Sequence, residues 1–290
     1  MRRIAHLSDL HFGHLRRETL GPLRDAVQAA KPHLVAISGD LTQRARKKQF
    51  QEAARFLETL PGPHIVVPGN HDVPFYNVIS RFLLPLHNYR RYITADLAPY
   101  FEDEEIAIAG INTARSLTFK GGRVNERQLG QLRDRLCRLP DGVTKMVVTH
   151  HPFDVPEKSH HPEVVGRADV AMKVLAECGA DVLLAGHLHT SHIGHTATRY
   201  KIAGHSALLI QAGTATSTRE RGERNSFNLV HIDHPAIAVE RYVWEESGVF
   251  RPAAREEFRH SPAGWVRESP KEPVEKANSS GGASAGEEPA

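Results

Sequence analysis

The residues able to do chemistry fall in five short blocks of a 290-residue chain. They are Asp9-Leu10-His11, Gly39-Asp40, Gly69-Asn70-His71-Asp72, His150 with His151-Pro152 behind it, and Gly186-His187-Leu188-His189. One intervening residue lets Asp9 and His11 aim the same way, giving a mixed oxygen and nitrogen pair that suits Zn, Mn or Fe. Gly39 permits an unusual backbone turn that can push Asp40 into a cleft. Asn70 offers a neutral carbonyl oxygen to a cation. His71 can donate a proton, and Asp72 can orient it. His187 and His189, two apart behind a glycine, suit metal ligation. Each block also has an ordinary reading: a helix cap for Asp40, a turn for Pro68 to Asp72, a hydrogen-bonded histidine elsewhere. Their common position sets them apart.

Each block follows a short apolar run that reads as a buried strand: Arg3–Leu7, Leu34–Ile37, His64–Val67, Lys145–Val148 and Asp181–Leu184, with Ile106–Ile111 as a sixth. Helical periodicity lies between several of them. Gln43–Leu60 places Phe50, Ala53, Ala54 and Leu57 on one face. Glu126–Leu139 does so with Leu129, Leu132, Leu136 and Leu139. Arg167–Cys178 repeats the pattern and stops at Gly179, a good C-terminal cap. Strands alternating with helices predict an α/β architecture, in which ligands bind where strands end. After Gly186 the helices vanish. Ser191–Thr196, Arg199–Ala203, Ala207–Gln211, Ser226–Ile232 and Ile237–Val243 read as strands of a second, largely antiparallel sheet.

The expected fold is therefore a four-layer αββα sandwich of two packed sheets with helices outside. Residues 1–250 form the domain, with 75–100 as a small helical cap insertion, aromatic and basic in composition. Residues 251–269 are a C-terminal extension. Residues 270–290 hold a single large aliphatic residue, Val274, and read as a disordered tail.

Composition narrows the class. Hydrophobic residues make up 40 % and charged residues 24 % of the chain, the profile of a soluble globular protein. No apolar run approaches the roughly 18 residues a membrane helix needs, and no secretory signal is visible. Cys137 falls in a helical pattern and Cys178 ends one, so both are expected as core thiols. A cytoplasmic location is the default. The formal charge is +3, but residues 261–290 carry −2 and the remainder +5. Such a mildly basic body suits a small anionic substrate and does not call for a nucleic-acid polymer. No G-x-S-x-G elbow or G-x-x-x-x-G-K-[ST] loop occurs.

The series Asp9-x-His11, Gly39-Asp40, Gly69-Asn70-His71-Asp72, His150 and Gly186-His187-x-His189 resembles the calcineurin-like metallophosphoesterases over about residues 3–245. Gly121–Leu132 and Thr149-His150-His151-Pro152 are similar to the class III cyclic-nucleotide phosphodiesterase branch. The resemblance implies two mixed sheets flanked by helices and two divalent ions, such as Mn, Fe or Zn. It implies that Asp9, His11 and His189 hold the first ion, that Asn70, His150 and His187 hold the second, and that Asp40 bridges them. Two cations about 3.5–4 Å apart lower the pKa of a shared water, and the resulting hydroxide attacks phosphorus in line. An aspartate suits a bridge because each carboxylate oxygen can bind one ion. His71, with Asp72 as its orienting partner, is the expected acid for the leaving alkoxide.

Substrate contacts are expected from Arg115, His71 and His189, with Arg219, Arg221 and Arg224 as further phosphate-gripping candidates. His160 and His161 are not expected to be ligands. The implied activity is hydrolysis of a small phosphodiester, 3′,5′-cyclic nucleotides foremost. A phospholipid, a nucleotide-sugar pyrophosphate or a phosphomonoester are the alternatives, and a metal-free binding scaffold is the remote one. A homodimer is left open.

Overall fold

The computed structural model describes residues 1–75, 77–155, 164–200, 202, 205–218, 222–262 and 264–268. Its strands are β1 (Arg2–Leu7), β2 (Leu34–Ile37), β3 (His64–Val66), β4 (Tyr100–Glu102), β5 (Ile106–Ile111), β6 (Thr144–Thr149), β7 (Val182–Ala185), β8 (His192–His195), β9 (Leu208–Gln211), β10 (Ser226–Asp233), β11 (Ala236–Trp244), β12 (Phe250–Ser261) and β13 (Gly264–Arg267). The α-helices are α1 (Leu20–Ala30), α2 (Lys47–Leu57), α3 (Val78–Leu83), α4 (His87–Tyr92), α5 (Glu126–Leu136) and α6 (Ala168–Glu177).

One sheet has seven strands in the order β13-β12-β11-β10-β1-β2-β3, the other six in the order β4-β5-β6-β7-β9-β8. Both are mixed: β1, β2 and β3 run parallel, as do β5, β6, β7 and β9, while the remaining pairings are antiparallel. The central strands are apolar at nearly every position because both faces are covered. Ile4 of β1 and Met146 and Val148 of β6 meet between the sheets. Their neighbours point the other way. Ala5 and Leu7 pack under α1 and α2, and Val147 packs under α5 and α6. This alternation makes the four αββα layers expected.

Some helices begin where the sequence can satisfy their free N–H groups. At α5 the Asn125 side chain accepts from Gln128 N (3.0 Å) while Gln128 Oε1 accepts from Asn125 N (2.9 Å), a reciprocal cap. α6 ends at Gly179, whose φ of +69° suits only glycine at no steric cost.

Four expectations need correction. The strands after Gly186 do not build a sheet of their own. β8 and β9 join β7, and β10 crosses back to cover the open edge of β1, which would otherwise be unpaired backbone. Arg199–Ala203 is no strand in its described part; a single 3₁₀ turn ends at Thr198, just before it. Residues 251–269 are no outlying extension, because β12 and β13 complete the seven-stranded sheet. Cys137 and Cys178 are a disulfide, not two thiols, with Cα atoms 4.0 Å apart. Two successive strand–helix units lay α5 and α6 side by side, so their C-terminal caps end together. The pairing removes the cysteine argument for a reducing compartment.

In the stretch expected as a cap, α4 belongs to the helix layer. Tyr89 is fully buried and donates its hydroxyl to Val66 O at 2.9 Å. α3 lies at the surface. The tail expected at 270–290 lies outside the described residues. No helix among the described residues is long and apolar enough to cross a membrane.

Trp265 of β13 is 2 % exposed and donates Nε1–H to Asp181 Oδ1 at 2.9 Å. Trp265→Ala is expected to lower unfolding free energy by about 3–5 kcal/mol, the range for a large core side chain, as read by urea denaturation. A loss below about 1 kcal/mol would show that the terminal strands are dispensable.

Candidate metal centre

β1, β2 and β3 of one sheet and β6 and β7 of the other end on the same edge of the sandwich. The five blocks are carried there by the loops that follow. Entering these loops forces unusual backbone: Asp9 (φ 55°), His11 (49°), Asp40 (52°), His187 (74°) and His189 (62°) are five of the eight non-glycine residues with positive φ among those described. Left-handed backbone costs an L-residue roughly 1–2 kcal/mol, so strain is concentrated where these side chains converge. Crowding is equally local. A Cβ on Gly69 would overlap the Asp40 carboxylate.

Asp9, His11, Asp40 and His189 each offer one ligand atom, all within 4.8 Å of one another. Asp9 Oδ2 is occupied, accepting from Ser8 Oγ (2.6 Å) and His187 N (3.1 Å). Its Oδ1 is buried with no hydrogen-bond partner, yet lies 3.1 Å from His189 Nε2 and 3.5 Å from His11 Nε2. Those two imidazole nitrogens face each other at 3.3 Å. Asp40 Oδ1 accepts from His71 N at 2.8 Å. That leaves Oδ2 to face both sides, 3.8 Å from His11 Nε2 and 3.4 Å from His150 Nε2. Oδ2 therefore stands between the two groups of histidines.

The second group is His150, His187 and Asn70. His150 Nδ1 donates to Ser38 O at 2.7 Å, which turns Nε2 inward. Asn70 Nδ2 donates to Phe119 O at 3.1 Å, which turns Oδ1 inward. Oδ1 then lies 3.1 Å from both His150 Nε2 and His187 Nδ1, and these nitrogens are 3.3 Å apart. Two imidazole nitrogens thus address one amide oxygen, a contact that a ring N–H or a cation satisfies. The ionisation behaviour agrees. Burial alone would lower His150, but the Asp40 carboxylate outweighs it and lifts the pKa to about 9. Burial would raise Asp40 and Asp9, yet the histidines hold both below the usual carboxylate range. Burial, reinforced by His150, pushes His187 down to about 3, leaving its ring neutral. Carboxylates and neutral imidazoles in this proportion fit divalent cations.

His151 lies close to the second group, but both its ring nitrogens are already occupied. Nδ1 is 2.8 Å from Thr113 Oγ1, and Nε2 donates to Lys120 O at 2.7 Å. Burial holds its pKa far below the ordinary value.

His71 stands edge-on to His11, with centroids 5.0 Å apart. The orienting contact expected from Asp72 is absent. Asp72 is buried and accepts from Leu41 N, Thr42 N, Thr42 Oγ1 and Gly69 N at 2.9–3.1 Å. It ties the Asp40 and Asn70 loops together, and burial with the Asp40 charge lifts its pKa to about 7. His71 Nδ1 donates instead to Gln43 O at 3.0 Å. Ser8, Ser38 and Gln43 escaped sequence reasoning. Two of them act through backbone carbonyls, which carry no side-chain signature.

Arg115 is not brought into the cluster. It lines a cavity of about 560 Å³ with Arg123 and Arg167, whose walls include none of the clustered residues. Arg224 is exposed on its loop, whereas Arg219, Arg221, His160 and His161 lie outside the described residues.

The calcineurin-like phosphoesterase family model matches residues 2–191, and the chain belongs to that family. A putative metallophosphoesterase of Caenorhabditis elegans is 27 % identical over 197 residues, which is 64 % of this chain and only 36 % of the worm protein. The 3′,5′-cyclic adenosine monophosphate phosphodiesterase CpdA of Escherichia coli K12 is 23 % identical over 206 residues, 64 % of this chain and 69 % of CpdA. Among solved structures, a dimetal phosphatase from Danio rerio superposes with a TM-score of 0.61 at 14 % identity, covering 90 % of this chain and 99 % of that one. The match shows the family, and the superposition shows its fold.

His150→Gln is expected to lose metal per folded chain, and His151→Gln to keep it, as read by elemental analysis after gel filtration. Equal loss in both variants would make His151 a ligand.

Proposed function

We propose that the chain is a binuclear metal-dependent phosphodiesterase acting on a small phosphodiester, with 3′,5′-cyclic nucleotides as the favoured class. The observation that carries this reading is the pair of donor groups sharing Asp40 Oδ2. Asp9, His11 and His189 would hold one ion, Asn70, His150 and His187 the other, and Asp40 would contact both. When bound, the ions would supply Lewis acidity for activating water and for neutralising charge on the phosphoryl oxygens.

The protein's own side chains do the rest. The Ser38 and Phe119 carbonyls fix the orientation of His150 and Asn70. Gln43 O anchors His71 through Nδ1, so Nε2 is the nitrogen left to deliver a proton to the leaving alkoxide. Its ring stands edge-on to that of His11, at the border of the first donor group. The cyclic-nucleotide class rests on the likeness to CpdA. A lipid phosphodiester is the second reading, favoured by the exposed apolar face of α3, where Ile79 and Leu83 are 72 % and 73 % exposed.

Two measurements test the proposal. With Mn²⁺, the protein is expected to hydrolyse 3′,5′-cyclic AMP with kcat/KM of about 10⁴ M⁻¹s⁻¹ or more. Hydrolysis of an aryl phosphodiester with negligible action on the cyclic nucleotide would move the substrate to lipids or other diesters. Action on neither would sink the reading. His71→Ala is expected to lower kcat by about 10²–10⁴-fold, the usual contribution of a general acid, at unchanged metal content. Turnover within threefold of wild type would remove His71 from the acid role.

A further inference from the structure

Large apolar side chains are seldom exposed together on a protein surface. Here they are gathered in one place. Ile79, Phe82, Leu83 and Leu84 of the α3 region are 52–73 % exposed, and Leu117 and Phe119 of the loop after β5 are 71 % and 54 % exposed. Arg81 joins the two segments into one face. Its guanidinium donates to Ser116 O (2.7 Å), Pro74 O (2.9 Å) and Thr118 O, and lies 4.2 Å from the centroid of the Phe119 ring. The Phe75 and Phe119 rings meet across the same junction at 4.9 Å. The face is thus rigidly built from buried polar contacts, although its outer side chains have no apolar cover.

Its charge is as unusual as its apolarity. Residues 73–95 and 112–125 contain no aspartate and no glutamate, but they hold Arg81, Arg90, Arg91, Arg115, Lys120 and Arg123. These 37 residues carry +6, so the rest of a +3 chain carries −3. Arg90, Arg91, Lys120 and Arg123 are exposed, and none is ion-paired with a described carboxylate. Arg90 opens onto a cavity of about 420 Å³ walled by Leu83, Leu84, Leu86 and Leu97. A cationic fringe around protruding aliphatic and aromatic side chains is the composition of a surface that lies on anionic lipid. A second copy of the chain is a poor occupant. A symmetric pairing would set two acid-free cationic faces against each other.

We propose that the face formed by α3 and residues 115–123 docks on the surface of an anionic phospholipid bilayer. The apolar side chains enter the headgroup region, and the arginines and lysine meet the lipid phosphates. The face is continuous with the metal centre, because Phe119 O accepts the hydrogen bond that orients Asn70. Docking therefore brings the rim of the centre to the lipid headgroups. The inference is independent of the substrate and of the activity.

Sedimentation of the full chain with phosphatidylcholine vesicles, with and without phosphatidylglycerol, tests it. Partition is expected to be about tenfold or more higher on the anionic vesicles and to fall at high salt. Ile79→Ser/Leu83→Ser and Arg90→Glu/Arg91→Glu should each abolish the preference. Both leave the fold intact by circular dichroism and any turnover of a soluble aryl diester unchanged. Equal partition on both vesicle types, or an anionic preference that survives both double substitutions, would overturn the proposal. So would a concentration-dependent dimer that Ile79→Ser/Leu83→Ser dissociates while vesicles capture nothing.

Discussion

The convergence of buried carboxylate oxygens, an amide oxygen and imidazole nitrogens on one place is the constraint on which this structure turns. Asp40 Oδ2 faces His11 Nε2 and His150 Nε2, and Asn70 Oδ1 faces two imidazole nitrogens at 3.1 Å. The backbone has already chosen the tautomer of His150 by taking its Nδ1–H at Ser38 O. A buried set of acceptors is unstable unless protons or cations neutralise it. The lift of His150 to about 9 shows the same demand in proton form. Divalent ions would meet the same demand by taking up those lone pairs in place of protons.

Much of the surrounding fold serves to hold that arrangement. Two parallel strand sets must end on one edge, which requires the sheets to pack face to face through Ile4, Ile108, Val148 and Leu184. The loops must then turn sharply enough to point side chains at one another, which left-handed backbone at five of the ligand candidates achieves. That strain is opposed by anchors such as Asp72, whose carboxylate gathers three backbone N–H groups from two loops, and Ser8, which takes up one oxygen of Asp9.

The strands that carry the site were legible because burial on both faces writes them as unbroken apolar runs. Leu34–Ile37 and Ile106–Ile111 fall where periodicity placed them. The five chemical blocks were legible because each lies just beyond such a run. What stayed hidden depends on pairing in space. β12 is largely solvent-facing, with Arg251, Arg255 and Glu257 exposed along it, so it lacks the apolar signature of a core strand. The Cys137–Cys178 bond needs knowledge that α5 and α6 end side by side. Asp72 follows His71 in sequence, which suggested a pair, but in a 3₁₀ turn the two side chains diverge. Backbone acceptors such as Gln43 O cannot be read from residue type at all.

The proposed function requires two cations held around Asp40. The most direct test is the metal content of the protein, loaded with Mn²⁺ and gel-filtered, measured beside Asp40→Ala by elemental analysis. Two ions per wild-type chain, with both lost in Asp40→Ala, is the predicted result. One ion per wild-type chain, or a full complement retained by Asp40→Ala, would contradict it.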